Sequence, residues 1–181
     1  MKQAILINGV PASGKSTVGT QVVSALSKAG IASVPFAIDT VKEALFAEIG
    51  TGDREYNRML GRASYHAIFA SIAEFPNTLL PIIDAWHGFQ PREVLEAHLA
   101  RAQIDHVVEL WVSVSPETAA ARYRDRCKTR HAGHLPASYA EELFELAGRA
   151  KPMGFGEVIT IDSETALPAD LTTRIINSLK R

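Results

Sequence analysis

Eight residues near the N-terminus carry the clearest chemistry in the chain. Gly9-Val10-Pro11-Ala12-Ser13-Gly14-Lys15-Ser16 fits the pattern G-x-x-x-x-G-K-[ST]. Glycines in such a loop let successive backbone N–H groups turn inward around a phosphate, and a helix starting there adds partial positive charge. The Lys15 amine can reach the β- and γ-phosphates of a nucleotide, and the Ser16 hydroxyl can ligate Mg²⁺. Gly9, Pro11, Ala12, Ser13, Gly14, Lys15, Ser16 and Thr17 form the expected nucleotide-binding set.

Two carboxylates stand where a second substrate would meet that loop. Asp39 follows the apolar run ending at Ile38, and Asp84 follows Leu79-Leu80-Pro81-Ile82-Ile83. In a parallel α/β sheet the C-terminal strand ends face the ligand crevice. A carboxylate at Asp39, across from Lys15, could bond an acceptor hydroxyl and align its oxygen with the γ-phosphate. Either residue could equally cap the helix or turn that follows it. Trp86 and His87 follow just past this strand end; His87 could contact substrate, and Trp86 could stack on a sugar or aromatic ring or equally pack the core. Asp162 also ends a strand and is expected to be a structural cap.

Arginines supply the opposite charge. Arg122, Arg126 and Arg130 follow i, i+4, i+8 spacing and would share one helical face. Guanidinium groups suit the charge that phosphoryl transfer spreads over non-bridging oxygens. Arg54, Arg58 and Arg62 lie in a segment expected over the crevice mouth, where Arg58 and Arg62 could hold an acceptor carboxylate or phosphate. Pairing with Glu55 on a solvated helix face would use the same spacing. Cys127, His131 and His134 do not have the spacing of a zinc site. His66 and His98 fall inside expected helices and read as packing or surface residues.

These groups must be held by strands at Ala4–Ile7, Ser33–Ile38, Thr78–Asp84, Val107–Val114 and Glu157–Asp162. Most are near-continuously apolar, as strands covered on both faces are. Helices are expected at Lys15–Ala29, Thr40–Ile49, Glu55–Glu74, Pro91–Ala102, Pro116–Lys128, Pro136–Ala150 and Pro168–Lys180. Ser115 is a natural N-cap ahead of Pro116, and Gly30 and Gly50 suit helix C-termini. Strand alternating with helix implies an α/β layer fold with a parallel sheet. The 181 residues fit one domain, 1–181, with a polar mobile insertion at Arg126–Leu135.

Composition narrows the classes. Lys plus Arg is 19 and Asp plus Glu is 20, a formal charge of -1, which disfavours a generally basic nucleic-acid binder. No apolar run is long enough for a membrane span. The lone Cys127 fits a reducing cytoplasm. No Asn-Lys-x-Asp motif follows the loop, which disfavours a GTPase switch.

Beyond the loop, the chain resembles the small P-loop kinases of the nucleoside-monophosphate-kinase architecture, and within them chloramphenicol phosphotransferase and the gluconate and shikimate kinases. Phe36-Ala37-Ile38-Asp39-Thr40-Val41-Lys42-Glu43-Ala44 and Leu110-Trp111-Val112-Ser113-Val114 resemble the second and fourth strands of chloramphenicol phosphotransferase, with Ala85 standing where that enzyme has a second aspartate. Gly133-His134-Leu135-Pro136-Ala137-Ser138 resembles a stretch after the lid of gluconate kinases. The resemblance implies a three-layer fold with a five-stranded parallel sheet in the order 2-3-1-4-5 and a small helical lid at about 122–135. It implies ATP and Mg²⁺ as cofactors and Asp39 as acceptor of the substrate proton. It places Asp84 near the metal or substrate, Arg122 on the nucleotide, and Arg126 and Arg130 in a closing lid. The expected activity is γ-phosphoryl transfer to a hydroxyl of a sugar, sugar acid or antibiotic-like molecule. A polynucleotide 5′-hydroxyl or nucleotide-sugar kinase of the zeta-toxin kind, or a non-catalytic nucleotide-binding protein, stands as the alternative.

Overall fold

The computed structural model describes residues 1–179; the expected helix end at Lys180 lies outside them. Five strands form one parallel sheet: β1 (Lys2–Asn8), β2 (Ser33–Ala37), β3 (Leu80–Ala85), β4 (Ile104–Ser113) and β5 (Glu157–Asp162). Their order is β2-β3-β1-β4-β5, as the resemblance implied. β1 is central, between β3 and β4, so the loop after it opens where the strand order reverses. That is the point at which open α/β sheets bind ligands.

Strand alternation explains both the apolar runs and the layers. Ile5 and Ile7 face one side with Val108 and Leu110, covered by α1 (Lys15–Lys28) and α7 (Leu171–Leu179) through Val18, Val22, Leu26 and Ile175. Ala4 and Leu6 face the other side, covered by α3 (Arg54–Ala73) and α4 (Arg92–Arg101) through Tyr65, Phe69, Leu95 and Leu99. Ala4–Ile7 of β1 thus enter two different cores in alternation, and these four positions are all apolar. A third cluster packs Val10 and Ala12 against Ala120, Tyr123 and Leu143 of α5 (Pro116–Arg126) and α6 (Tyr139–Arg149). This cluster roots the phosphate loop in the helices beside it. The remaining helix, α2 (Ile38–Ile49), follows β2 directly.

Several boundaries differ from expectation for local reasons. β1 begins at Lys2 because its amine is buried against the carbonyls of Ile72 and Ala73, at 3.1 and 3.0 Å. β4 extends back to Ile104, which pairs with Lys2. Ser115 caps α5 by accepting from the Thr118 N–H, but α5 ends at Arg126 rather than Lys128. Pro91 sits at the N-cap of α4, while Pro136 and Pro168 lie three residues ahead of their helices in turns closed by the Tyr139 and Leu171 N–H groups. No helix among the described residues is long and apolar enough to cross a membrane.

Candidate active site

The loop between β1 and α1 is shaped largely by its backbone. Ala12 (φ 63°) and Gly14 (φ 96°) adopt left-handed conformations, and Gly14 immediately precedes α1. A side chain at Gly9 would come within 2.6 Å of the Val112 carbonyl, so the close packing of β1 on β4 requires glycine there. The Ser13 N–H and the Lys15 Nζ both donate to the Val10 carbonyl, at 3.1 and 2.8 Å. Pro11, Ala12, Gly14, Lys15, Ser16 and Thr17 line the cleft. Gly9 and the fully buried Ser13 lie behind the loop and shape it. Burial lowers the Lys15 pKa against the opposing pull of Asp84 and Asp39, while Arg126 and Arg130 lower it further.

Sheet register brings Asp84 to this loop. Asp84 pairs with Ile7 on β1 and with Ala37 on β2, one strand away from the start of α1. Its Oδ2 accepts from the Ser16 hydroxyl at 2.8 Å. Burial raises the Asp84 carboxyl pKa, opposed by Lys15 and by the Ser16 hydrogen bond. A hydroxyl and a carboxylate at the head of a phosphate loop form a hard-oxygen donor set, and that chemistry fits Mg²⁺.

Asp39 lies in the first turn of α2, whose N-cap is Ala37, so it is not the helix cap. Its Oδ2 accepts from Arg130 and lies 3.7 Å from Arg126. Burial pushes this carboxyl up, but Arg130, His134, Lys15 and Lys42 outweigh it and leave the pKa below the usual value. Arg130 is 12% exposed, and its buried Nε has no hydrogen-bond partner among the described residues. Because α5 stops at Arg126, Arg130 is not on the helical face that the i, i+8 spacing suggested. It sits in a turn closed by its own N–H to the Arg126 carbonyl at 2.9 Å. Turning out of the helix is what carries it across to Asp39. Arg122 instead holds Ser163, with Nη1 on the hydroxyl at 2.9 Å and Nη2 on the carbonyl at 3.1 Å.

The segment after α5 is fastened to α2 and α3. The His131 ring stacks on Phe46 with centroids 5.3 Å apart. The Asn57 amide donates to the Gly133 carbonyl, and His134 Nε2 meets Glu43 at 2.7 Å. The two histidines therefore serve packing and hydrogen bonding, burial holding the His134 pKa below its usual value, while Cys127 faces the Leu135 carbonyl.

His87 is displaced from its expected role. A short 3-10 turn, His87–Phe89, rotates its ring into the core, where it is 1% exposed. Its Nδ1 bonds the Tyr65 hydroxyl at 2.7 Å, and its backbone N–H donates to Asn8 at 3.0 Å. Burial drives its pKa down to about 3, so the ring is neutral at pH 7. The same turn leaves Trp86, Gly88 and Phe89 lining the cleft. Asp162 has the expected structural role, accepting from the Glu164 N–H at 2.9 Å. His98 packs in an aromatic cluster with Tyr65 and Phe69, and His66 contacts Arg101 at the surface.

Lys15, Ser16, Asp39, Asp84, Arg126 and Arg130 open onto one cleft of about 1390 Å³, more than a single drug-sized ligand needs. Arg54 and Arg58 line it as expected, with Arg54 held by Glu142 at 2.5 Å. Sequence reading missed Lys42, Asn57, Glu142 and Arg149 in the wall. Lys42 carried a signal, lying one helical turn after Asp39; Arg149 carried none, since nothing local links it to the other wall residues.

No family model matches the chain, and no curated protein matches it. Solved structures do. A kinase candidate from Chloroflexus aurantiacus superposes with a TM-score of 0.80 at 20% identity, covering 98% of each chain. Kti12 from Chaetomium thermophilum, in complex with ADP-AlF3, gives 0.67 at 17% identity over 98% of this chain and 97% of that one. The APS kinase CysC of Mycobacterium tuberculosis gives 0.60 at 16% identity over 99% and 98%. With the sheet order, the phosphate loop and these likenesses together, the chain has the fold of the P-loop kinases.

Proposed function

We propose that the chain is a phosphotransferase that moves the γ-phosphoryl group of ATP to a hydroxyl of a small molecule. The observation that carries this reading is convergence: Lys15 at the head of α1, Asp39 in the first turn of α2 and Asp84 near the end of β3 line one cleft. A protein that only held nucleotide would need the loop but not a second carboxylate facing it across room for another molecule. The kinase-like neighbours and the ADP-AlF3 in one of them support the nucleotide half. The likeness to chloramphenicol phosphotransferase and to gluconate and shikimate kinases supports the acceptor half.

In this reading the loop N–H groups and Lys15 bind the β- and γ-phosphates. Ser16 and Asp84 are the residues that would hold Mg²⁺, which when bound neutralises phosphate charge. Asp39 accepts a hydrogen bond from the acceptor hydroxyl and orients its oxygen. That oxygen forms a bond to the γ-phosphorus as the bond to the β,γ-bridging oxygen breaks. ADP leaves with the bond electrons, and the hydroxyl proton passes to Asp39. With a loose transition state the proton leaves late, so orientation is the larger part of the Asp39 contribution. Arg126 and Arg130 exchange their contact with Asp39 for phosphoryl oxygens. The segment 122–135 acts as the lid that excludes water. The lone cysteine fits a cytoplasmic setting.

A coupled assay of ADP release tests this against sugars, sugar acids, aminoglycosides, nucleosides and 5′-hydroxyl oligonucleotides. Acceptor-dependent ADP release is expected for a small alcohol. ATP turnover indifferent to every acceptor would contradict the reading.

A further inference from the structure

One carboxylate lies in the middle of the core, away from the cleft. From Val107 to Val112, β4 is apolar except at Glu109, which is fully buried. Among the described residues no lysine or arginine pairs with it. Its partners are the Asn8 side-chain amide at 2.7 Å and the N–H groups of Met153, Gly154 and Phe155 at 2.8, 2.8 and 3.4 Å. All four are donors, and a carboxylate is the side chain that accepts at four positions. An apolar residue would complete the strand without the cost of burying a charged group. Packing of β4 therefore does not explain the choice of glutamate.

What Glu109 does is set the direction of a second buried group. Because it takes the NH₂ end of the Asn8 amide, the Asn8 oxygen must point the other way. There it accepts from the Gly9 N–H at 2.9 Å and from the His87 N–H at 3.0 Å. Gly9 is the first residue of the phosphate loop. His87 starts the short turn that leaves Trp86, Gly88 and Phe89 lining the cleft. The N–H groups on the far side of Glu109 belong to the segment joining α6 to β5. Gly154 is left-handed there (φ 70°), which lets successive N–H groups turn inward on the carboxylate. Met153 and Phe155 pack on the core beneath α3 and α4, and the Arg92 guanidinium lies 3.8 Å over the Phe155 ring. Upstream of that segment, α6 lines the cleft with Tyr139, Leu146 and Arg149. Three segments remote in sequence thus meet at one carboxylate–amide pair, and each leads to a wall of the cleft.

We propose that Asn8 and Glu109 are positioning residues for phosphoryl transfer: Glu109 orients the Asn8 amide, and the Asn8 oxygen holds the phosphate loop and the 86–89 turn at a fixed spacing. This rests on the phosphotransferase reading, and it adds two residues that act through the backbone of others. Transfer between two bound molecules tolerates little error in their relative placement. One oxygen bonded to both N–H groups supplies that constraint, since moving either segment loses a hydrogen bond to the same atom. The partners of Glu109 make the constraint directional. With every acceptor position filled by a donor, the amide cannot turn over without setting donor against donor.

The test titrates a non-hydrolysable ATP analogue with Mg²⁺ into the full-length protein by calorimetry, well below each melting temperature. Wild type is compared with Asn8→Leu, which keeps the size and removes the amide, and with the double variant Asn8→Asp/Glu109→Gln. The double variant reverses the pair: the carboxylate is now on β1 and the amide on β4, so both N–H groups keep an acceptor at the same total charge. Asn8→Leu is expected to bind about tenfold or more weakly, the scale of a buried polar group left unpaired. The double variant is expected to recover most of that loss. A pair that served only the fold would lower the melting temperature of Asn8→Leu and leave the affinity of the folded protein unchanged. That result, or a folded double variant as weak as Asn8→Leu, overturns the positioning role. If Asn8→Leu does not fold, wild type decides alone through its nuclear magnetic resonance spectrum. The Asn8 side-chain amide and the His87 N–H are expected to shift together as the analogue fills the loop, and unmoved resonances overturn the role. Wild type that does not bind the analogue refutes the phosphotransferase reading, and this inference with it; wild-type binding with any of the other contrary results overturns the inference alone.

Discussion

Around the phosphate loop, positions are set by the backbone. Ala12 and Gly14 turn left-handed, Val10 accepts from both Ser13 and Lys15, and the strand behind them is buried on both faces. At the other end of the cleft, between α3 and α6, positions are set by long exposed side chains leaning on two glutamates. The first arrangement leaves few alternatives, because moving one N–H disturbs the sheet. The second can be re-cut by surface substitution at little cost, since exposed ion pairs contribute about 0–1 kcal/mol each. In the proposed reading, with nucleotide at the first end and acceptor at the second, such a fold can change acceptor without losing phosphoryl transfer.

That contrast is broken most severely at the residue joining the two ends. Asp39→Asn keeps the shape but removes the charge, and kcat is expected to fall by roughly 10²–10⁴ with ATP affinity near normal. Arg130 and the other cations hold the Asp39 pKa below its usual value. Its contribution to stability is therefore present above the unfolded-state pKa and lost as pH falls through the lower folded value. Because the side chain is 42% exposed, the loss of that pair at pH 7 should cost no more than about 1 kcal/mol. Normal turnover by Asp39→Asn would move the hydroxyl-orienting role to Asp84.

At the rigid end, Lys15→Ala should lower transfer by about 10²–10³ while leaving the fold intact, since preorganised charge dominates this chemistry. A folded variant keeping more than about a tenth of wild-type activity would contradict the role.

Asp84 sharpens the comparison through stability. Burial raises its folded-state pKa above the unfolded value, so the ionised form opposes folding, and this penalty develops as pH rises through the folded pKa. Asp84→Asn should therefore melt higher than wild type at pH 7, by about 2–4 °C per kcal/mol gained. The difference should vanish in acid, below the unfolded carboxylate pKa of about 3.9. The same variant should require more Mg²⁺ for half-maximal rate. Equal melting temperatures at pH 7 would mean that the carboxylate is fully compensated by Lys15 and Ser16.

The smallest effect is expected in the segment fastened to α2. Hydrogen exchange across Arg122–Leu135 should slow when a non-hydrolysable ATP analogue binds, because Arg126 and Arg130 gain phosphate partners. Identical exchange with and without nucleotide would remove the lid.

The same difference decides how much was legible in the sequence. The loop could be read outright, since its chemistry lies in consecutive residues and its context is a buried strand followed by a helix. The strands and their parallel arrangement could be read because two covered faces demand continuous apolar runs. Asp39 and Asp84 were legible as strand-end carboxylates. His87 was not legible as a core residue, because a 3-10 turn of three residues reverses its direction and the Tyr65 and Asn8 groups that accept it are distant in sequence. The cross-cleft contact of Arg130 depended on α5 stopping at Arg126, and no glycine or proline marks that end. Arg149 and Glu142 lie more than 80 residues from the α3 arginines they face, and only the folded chain brings them together.

The central claim is that ATP phosphate held on the loop is passed to an alcohol presented at Asp39. The most direct measurement is the fate of the γ-phosphoryl group, followed by mass spectrometry when wild-type protein, ATP and Mg²⁺ are incubated with pooled sugars, sugar acids, aminoglycosides and nucleosides. The account predicts ADP and a phosphorylated alcohol in equal amounts, with no matching rise in inorganic phosphate. ADP and inorganic phosphate in equal amounts, with every alcohol unchanged, would make water the acceptor and contradict it.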